Sequence, residues 1–146
     1  MVKNKYNRKK IMVDGYKFDS KAEADYYIFL KKEKEAGNIL EIELQPKIVL
    51  QPAFKVKGKL IRQISYTPDF LVTWKLGNKI YIDVKGVSTQ QGELRYKMYK
   101  YKHERKGGIP LIWVSPSKKY SPSGWIEYFR LHQIRLLNRK NGKGGV

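Results

Sequence analysis

Along "YKFDSKAEADYYIFLKKEKEAGN" (residues 16–38) the apolar positions Ala22, Tyr26, Phe29 and Leu30 fall at helical spacing. Both ends of the predicted helix are marked. Ser20 and Glu23 stand in the S-x-x-E arrangement of a capping box, and Gly37 falls where a helix C-terminus favours positive φ. From Ile39 the period drops to two: Leu40, Ile42 and Leu44 alternate with Glu41, Glu43 and Gln45, predicting a half-buried strand. Pro46 interrupts it, and "KIVLQPAFKV" continues in extended form to a turn at Lys57-Gly58. "KLIRQISYTPDFLVTW" returns as one long strand, "KLGN" turns again, and "KIYIDVKGV" makes a third strand.

A second helix is predicted over "STQQGELRYKMYKYKHERK", started by Ser88 with Gln91 as its capping partner and with Leu94, Met98 and Tyr101 as its apolar stripe. Gly92 weakens that helix by about 1 kcal/mol relative to alanine. "IPLIWVS" is a short continuous apolar run, the signature of a strand covered on both faces. A last helix is predicted to start at Ser121-Pro122 and to run through "GWIEYFRLHQIRLLN". The order α-β-β-β-α-β-α implies an α/β fold, a mixed sheet flanked by helices. Residues 16–138 read as one domain between a basic arm (1–15) and a flexible basic tail (139–146).

Charge narrows the function. The 146 residues carry 31 Lys and Arg against 13 Asp and Glu, a net charge of +18. Such an excess costs self-repulsion in the compact state and points to a polyanionic partner, DNA first and an anionic membrane surface second. No apolar stretch approaches membrane-spanning length, and "MVKNKYNRKK" has no signal-peptide core behind it. The chain has no cysteine, which excludes disulfides and thiolate zinc sites and accords with a cytoplasmic location. No G-x-x-x-x-G-K-[ST] loop is present, and the lone His103 and His132 have no nucleophile at triad spacing.

The candidate chemistry lies in "SYTPDFLVTWKLGNKIYIDVKG" (residues 65–86). Asp69 follows Pro68 at the head of one apolar run; Asp83 and Lys85 sit two apart within the next. Taken alone, Asp83 and Lys85 are the polar face of an amphipathic strand. Asp is disfavoured in strands, however, and the turn near Gly77-Asn78 makes the two runs antiparallel neighbours. Asp69 and Asp83 are equidistant from Leu76, so the hairpin predicts that they approach each other. Two carboxylates so placed repel unless a proton or cation intervenes. Mg²⁺ is the expected cation, because one or two carboxylates with water and phosphate oxygens complete its octahedron. Lys85 is then aimed at the same site. Glu23 has two readings of equal standing, a third carboxylate or a capping-box residue alone.

Pro68-Asp69, then Asp83-Val84-Lys85, with an acidic residue on an N-terminal helix, resembles the PD-(D/E)XK nuclease superfamily. Its αβββαβ restriction-endonuclease-like core is similar to the order read from periodicity. Within the superfamily, "YTPDFLV" followed by "YIDVKG" most resembles phage endonuclease I-type Holliday junction resolvases. The resemblance covers roughly residues 16–115; the stretch 46–64 is longer here than in those resolvases, and Asp83 stands where they carry Glu. It implies an Mg²⁺-dependent endodeoxyribonuclease, with Mn²⁺ substituting, that cuts branched DNA as a homodimer. It also implies Glu23, Asp69, Asp83 and Lys85 as active-site positions, with the Val84 carbonyl as a further metal ligand. DNA contacts are expected from Lys9 and Lys10 of the arm and from Arg95, Lys97, Lys100 and Lys102 on the helix after Lys85, Lys97 nearest the scissile phosphate. The competing expectation is a non-catalytic basic nucleic-acid-binding protein whose carboxylates are surface pairs.

Overall fold

The computed structural model describes residues 10–143. The first element is a hairpin, β1 (Ile11–Val13) and β2 (Tyr16–Phe18), closed at Asp14-Gly15 with Asp14 at φ 51°. Asp-Gly is the sequence that supplies the left-handed pair of φ values a two-residue hairpin turn requires. Residues 11–15, placed in the basic arm by the sequence, and residues 16–18, just ahead of the predicted helix cap, are thus a strand pair. Helix α1 (Lys21–Glu35) comes next, capped by Ser20, whose hydroxyl accepts from the Glu23 amide at 3.1 Å. Its C-terminus ends at Gly37 with φ 83°, as its sequence requires. The buried face consists of Ala24, Tyr26, Tyr27 and Leu30; Ala22 and Phe29 are only half-buried.

Strand β3 (Ile39–Leu44) ends at Gln45, which takes a left-handed φ of 50° and turns the chain out of the sheet. The chain then forms a separate two-stranded ribbon. Its base is β4 (Ile48–Gln51) paired with β7 (Ile64–Tyr66), and its outer part is β5 (Phe54–Val56) paired with β6 (Lys59–Ile61) around Lys57-Gly58. The single long strand expected over residues 59–74 is thus three strands. The chain rejoins the sheet at Asp69, whose carbonyl accepts from the Gln45 amide at 2.9 Å, and continues as β8 (Phe70–Trp74). Strand β9 (Lys79–Val84) lies beyond the expected turn.

Helix α2 (Gln90–Lys102) is capped by Thr89 rather than Ser88: the Thr89 hydroxyl accepts from the Gly92 amide at 3.0 Å. Gly92 has a steric reason to stay bare, since a Cβ there would meet the Thr89 hydroxyl at 3.1 Å. Strand β10 (Leu111–Pro116) lies parallel to β9, the right use of a helical crossover. Trp125–Glu127, expected to be helical, forms β11 against β10, and only Tyr128–Lys143 is helix α3. That helix extends through residues 139–143, which the sequence placed in a flexible tail. Residues 1–9 and 144–146 of the predicted arm and tail lie outside the described residues.

The main sheet has the order β11-β10-β9-β8-β3, mixed in direction, so the protein is α/β as the periodicity implied. Stripped of the hairpin and ribbon, the order α1-β3-β8-β9-α2-β10 matches the expected αβββαβ sequence of elements. The two faces of β9 are both covered, by different partners. Ile80, Ile82 and Val84 pack with Phe70 and Val72 beneath Tyr26, Tyr27 and Leu30 of α1. Tyr81 packs on the other face with Tyr99 of α2, Leu111 and the ribbon base at Leu50 and Tyr66. Trp113, buried to 1% exposure, stacks on Phe129 of α3 on that side. The supposed outer face of β9 is therefore interior.

Candidate metal and phosphodiester site

The β8–β9 register decides whether the acids meet. Phe70 pairs with Ile82, Leu71 with Tyr81 and Val72 with Ile80, so one further step places Asp69 opposite Asp83. The turn centre inferred at Leu76 is the right one. Asp69 uses Oδ2 to accept from the Val84 amide at 2.8 Å, which fixes its carboxyl against the end of β9. Asp83 is only 5% exposed, too buried for a solvated strand face. Its Oδ2 accepts from the Tyr66 hydroxyl at 2.7 Å and lies 2.9 Å from Lys85 Nζ.

The electrostatics result from that crowding. Burial first, then hydrogen-bond contact with Asp83, then the charges of Asp83 and Glu23 push the Asp69 carboxyl up to about 9. The arrangement favours a proton on Asp69, because desolvation and like charge both penalise the second anion. Glu23 is also raised, chiefly by burial, with Asp19 and Asp83 contributing. Its amide serves the helix cap while its carboxyl faces the site, so the two readings of Glu23 are compatible. Glu23 and Asp69 line both a cleft of about 430 Å³, shared with Asp83, Val84 and Lys85, and a second cavity of about 240 Å³ reached past Tyr16, Lys17 and Gln45.

Two residues that sequence reasoning missed hold the centre together. The Tyr66 hydroxyl donates to Asp83 and accepts from Trp113 Nε1 at 2.9 Å, both contacts buried. Burial and the Asp83 charge push the Tyr66 phenol well up, keeping it a donor. Lys85 Nζ lies 5.0 Å from the Trp113 ring centroid, which together with Asp83 fixes the direction of its ammonium. In the sequence Tyr66 and Trp113 are an ordinary strand tyrosine and an ordinary core tryptophan; the register of β10 against β9, which sets Trp113 beside Asp83, emerges only in the fold.

The expected DNA contacts divide sharply. Arg95, with Gln91 and Gly92 of the first turns of α2, lines the cleft, and its Nε donates to the Ser65 carbonyl at 3.1 Å. Lys97 is exposed but does not line the cleft. Lys100 is engaged by the Leu111 carbonyl at 2.7 Å and by Glu104 at 2.6 Å, and Lys102 by the Leu50 carbonyl at 2.7 Å. These two lysines are fastening α2 to its neighbours. The proposed apolar stripe of α2 is also misplaced: Leu94 and Tyr101 are exposed, and Tyr99 is its buried residue. Lys10 is exposed, and Lys9 lies outside the described residues.

Lys85 and the positive N-terminus of α2 lining the cleft suit anionic oxygens, whereas the carboxylates beside them suit a cation or a proton. Among the described residues no group of three or more His, Cys, Asp and Glu side chains is placed to hold a metal ion. The carboxyls that meet are two, Asp69 and Asp83. No helix of the described residues is long and apolar enough to cross a membrane. Residues 3–122 match the family described as "Protein of unknown function (DUF1064)", and the chain belongs to that family. No curated protein and no solved structure matches the chain.

Proposed function

We propose that this protein is a metal-dependent endonuclease hydrolysing phosphodiester bonds in DNA. The observation that carries the reading is the buried meeting of Asp69 and Asp83, with Lys85 fixed 2.9 Å from Asp83, in one cleft. Apposed carboxyls of which one is raised to hold a proton are a preformed seat for a divalent cation. Asp69 and Asp83 would hold Mg²⁺ or Mn²⁺, with Glu23 reaching it through water and the Val84 carbonyl as the further ligand the resemblance implies. When bound, the metal supplies a water of lowered pKa and Lewis-acid stabilisation of the phosphate oxygens.

The chain's own groups divide the remaining work. Lys85, held by Asp83 and the Trp113 ring, presents its ammonium to charge developing on the phosphate. Tyr66 holds the Asp83 carboxylate in one rotamer by its 2.7 Å hydrogen bond. Arg95 and the first turn of α2 bind the flanking phosphate. Branched DNA is the substrate that the resolvase resemblance implies, and paired incision of a junction requires a homodimer. Restriction, repair and transposition substrates are separated from it by comparing a four-way junction, a flap, a nicked duplex and a linear duplex. The activity test uses Asp83→Ala and Lys85→Ala, each expected to lower metal-dependent cleavage at least ~100-fold while binding DNA in EDTA. Parental cleavage by both variants would refute the assignment, and salt-sensitive binding by a parent that never cleaves leaves a non-catalytic DNA-binding protein.

A further inference from the structure

The ribbon between β3 and β8 is not explained by the fold. Every residue from Pro52 to Gln63 is exposed, among them Phe54 at 40%, Val56 at 48%, Leu60 at 62% and Ile61 at 42%. A solvated hairpin has no use for four large apolar side chains. Nor is either face of the ribbon purely apolar, since Phe54, Val56 and Ile61 share theirs with Lys59 and Leu60 shares its own with Lys55. Each face thus mixes aliphatic side chains with ammonium groups. From Leu44 to Pro68 the chain has no acidic residue, while Lys47, Lys55, Lys57, Lys59 and Arg62 all fall within it.

We infer that the β5–β6 ribbon is a DNA-reading arm that enters the major groove of a duplex flanking the cut site, an assignment that rests on the proposed nucleic-acid function. A two-stranded ribbon fits that groove, where walls of phosphate face cations and thymine methyls and base edges face apolar side chains. From Pro52 to the Lys57-Gly58 tip the arm projects about 15–20 Å at strand rise, enough for a groove about 8.5 Å deep. Its base is anchored: Leu50 and Tyr66 pack against Tyr99, and β7 ends at the residue that holds Asp83. Seating the arm therefore fixes which phosphodiester faces the carboxylates.

The test compares the parent, Lys55→Gln/Lys57→Gln/Lys59→Gln and Leu60→Ala. Labelled linear duplex and four-way junction are titrated in EDTA over a salt series by fluorescence anisotropy, with circular dichroism confirming folding. The triple variant is expected to bind duplex roughly tenfold more weakly, with a slope of log K against log salt shallower by about 2 to 3. Leu60→Ala is expected to weaken binding with the slope unchanged. Parental affinity and slope in the triple variant overturn the arm, as does a parental dimer that sedimentation shows falling to monomer in that variant. The two readings fail separately. Lost binding in the triple variant with no metal-dependent cleavage by the parent removes the nuclease but keeps the arm; parental cleavage with unchanged binding does the reverse.

Discussion

Replacing Asp69 by Asn removes one titrating proton from the centre with almost no change in shape. In the folded protein the Asp69 carboxyl is raised from 3.8 to about 9, so between those limits the folded state holds a proton that the unfolded chain has released. Stability of the metal-free protein must then fall as pH rises, because the folded state binds more protons than the unfolded one. One proton sets a ceiling of about 1.4 kcal/mol per pH unit, or roughly 3 kcal/mol between about pH 6 and about pH 8. The Lys85 ammonium beside Asp83 and the open side of the cleft offset part of this, leaving about 1 to 2 kcal/mol. For a chain of this length that is a drop of roughly 3 to 8 °C in Tm. Differential scanning calorimetry in EDTA measures it. The parent should lose stability across that interval and Asp69→Asn should lose clearly less, ending above the parent at the alkaline limit. Millimolar Mg²⁺ should flatten the parent's dependence and leave the variant's unchanged. Equal slopes in parent and variant would refute the apposition of Asp69 and Asp83, whatever the protein does to DNA.

Tyr66→Phe leaves the buried Trp113 N–H and the Asp83 carboxylate each short of a partner; unfolding in urea should show a loss of about 1–3 kcal/mol. The same variant should cleave about tenfold more slowly with little change in DNA affinity, because Asp83 loses its orientation while the binding groups stay. Arg95→Ala should weaken both binding and cleavage, and Lys97→Ala should change either by less than about twofold, read in parallel anisotropy and cleavage assays, since only Arg95 lines the cleft.

The hairpin carrying the acids was legible because its two arms obey a strict period of two around an unambiguous turn, and equal spacing from Leu76 sufficed to pair Asp69 with Asp83. Ser20 and Glu23 were legible for a similar reason, a fixed offset within one element. Features that depend on pairing between distant strands were not. Tyr66 reaches Asp83 only because the ribbon base folds over β9, and nothing local distinguishes it from any other strand tyrosine. Trp125–Glu127 begins a run with helical spacing, and only the open edge of β10 draws it into the sheet. The α2 lysines misled for the opposite reason: charge alone cannot tell an ammonium facing phosphate from one bonded to the Leu50 or Leu111 carbonyl. Asp14-Gly15 is a local turn signal that stands directly after a run of basic residues, and its φ values of 51° and 79° close the β1–β2 hairpin.

The bend at Gln45 has an evolutionary corollary. Its left-handed backbone sends the chain away, and its amide meets the returning Asp69 carbonyl at 2.9 Å, so departure and re-entry are clamped side by side. Whatever lies beyond that clamp can lengthen, shorten or change sequence at small entropic cost and without shifting Asp69. Such an excursion is a natural place for diversification. Relatives should keep the Gln45–Asp69 junction and the carboxylates while exchanging the arm, altering where they act and leaving intact what they do there.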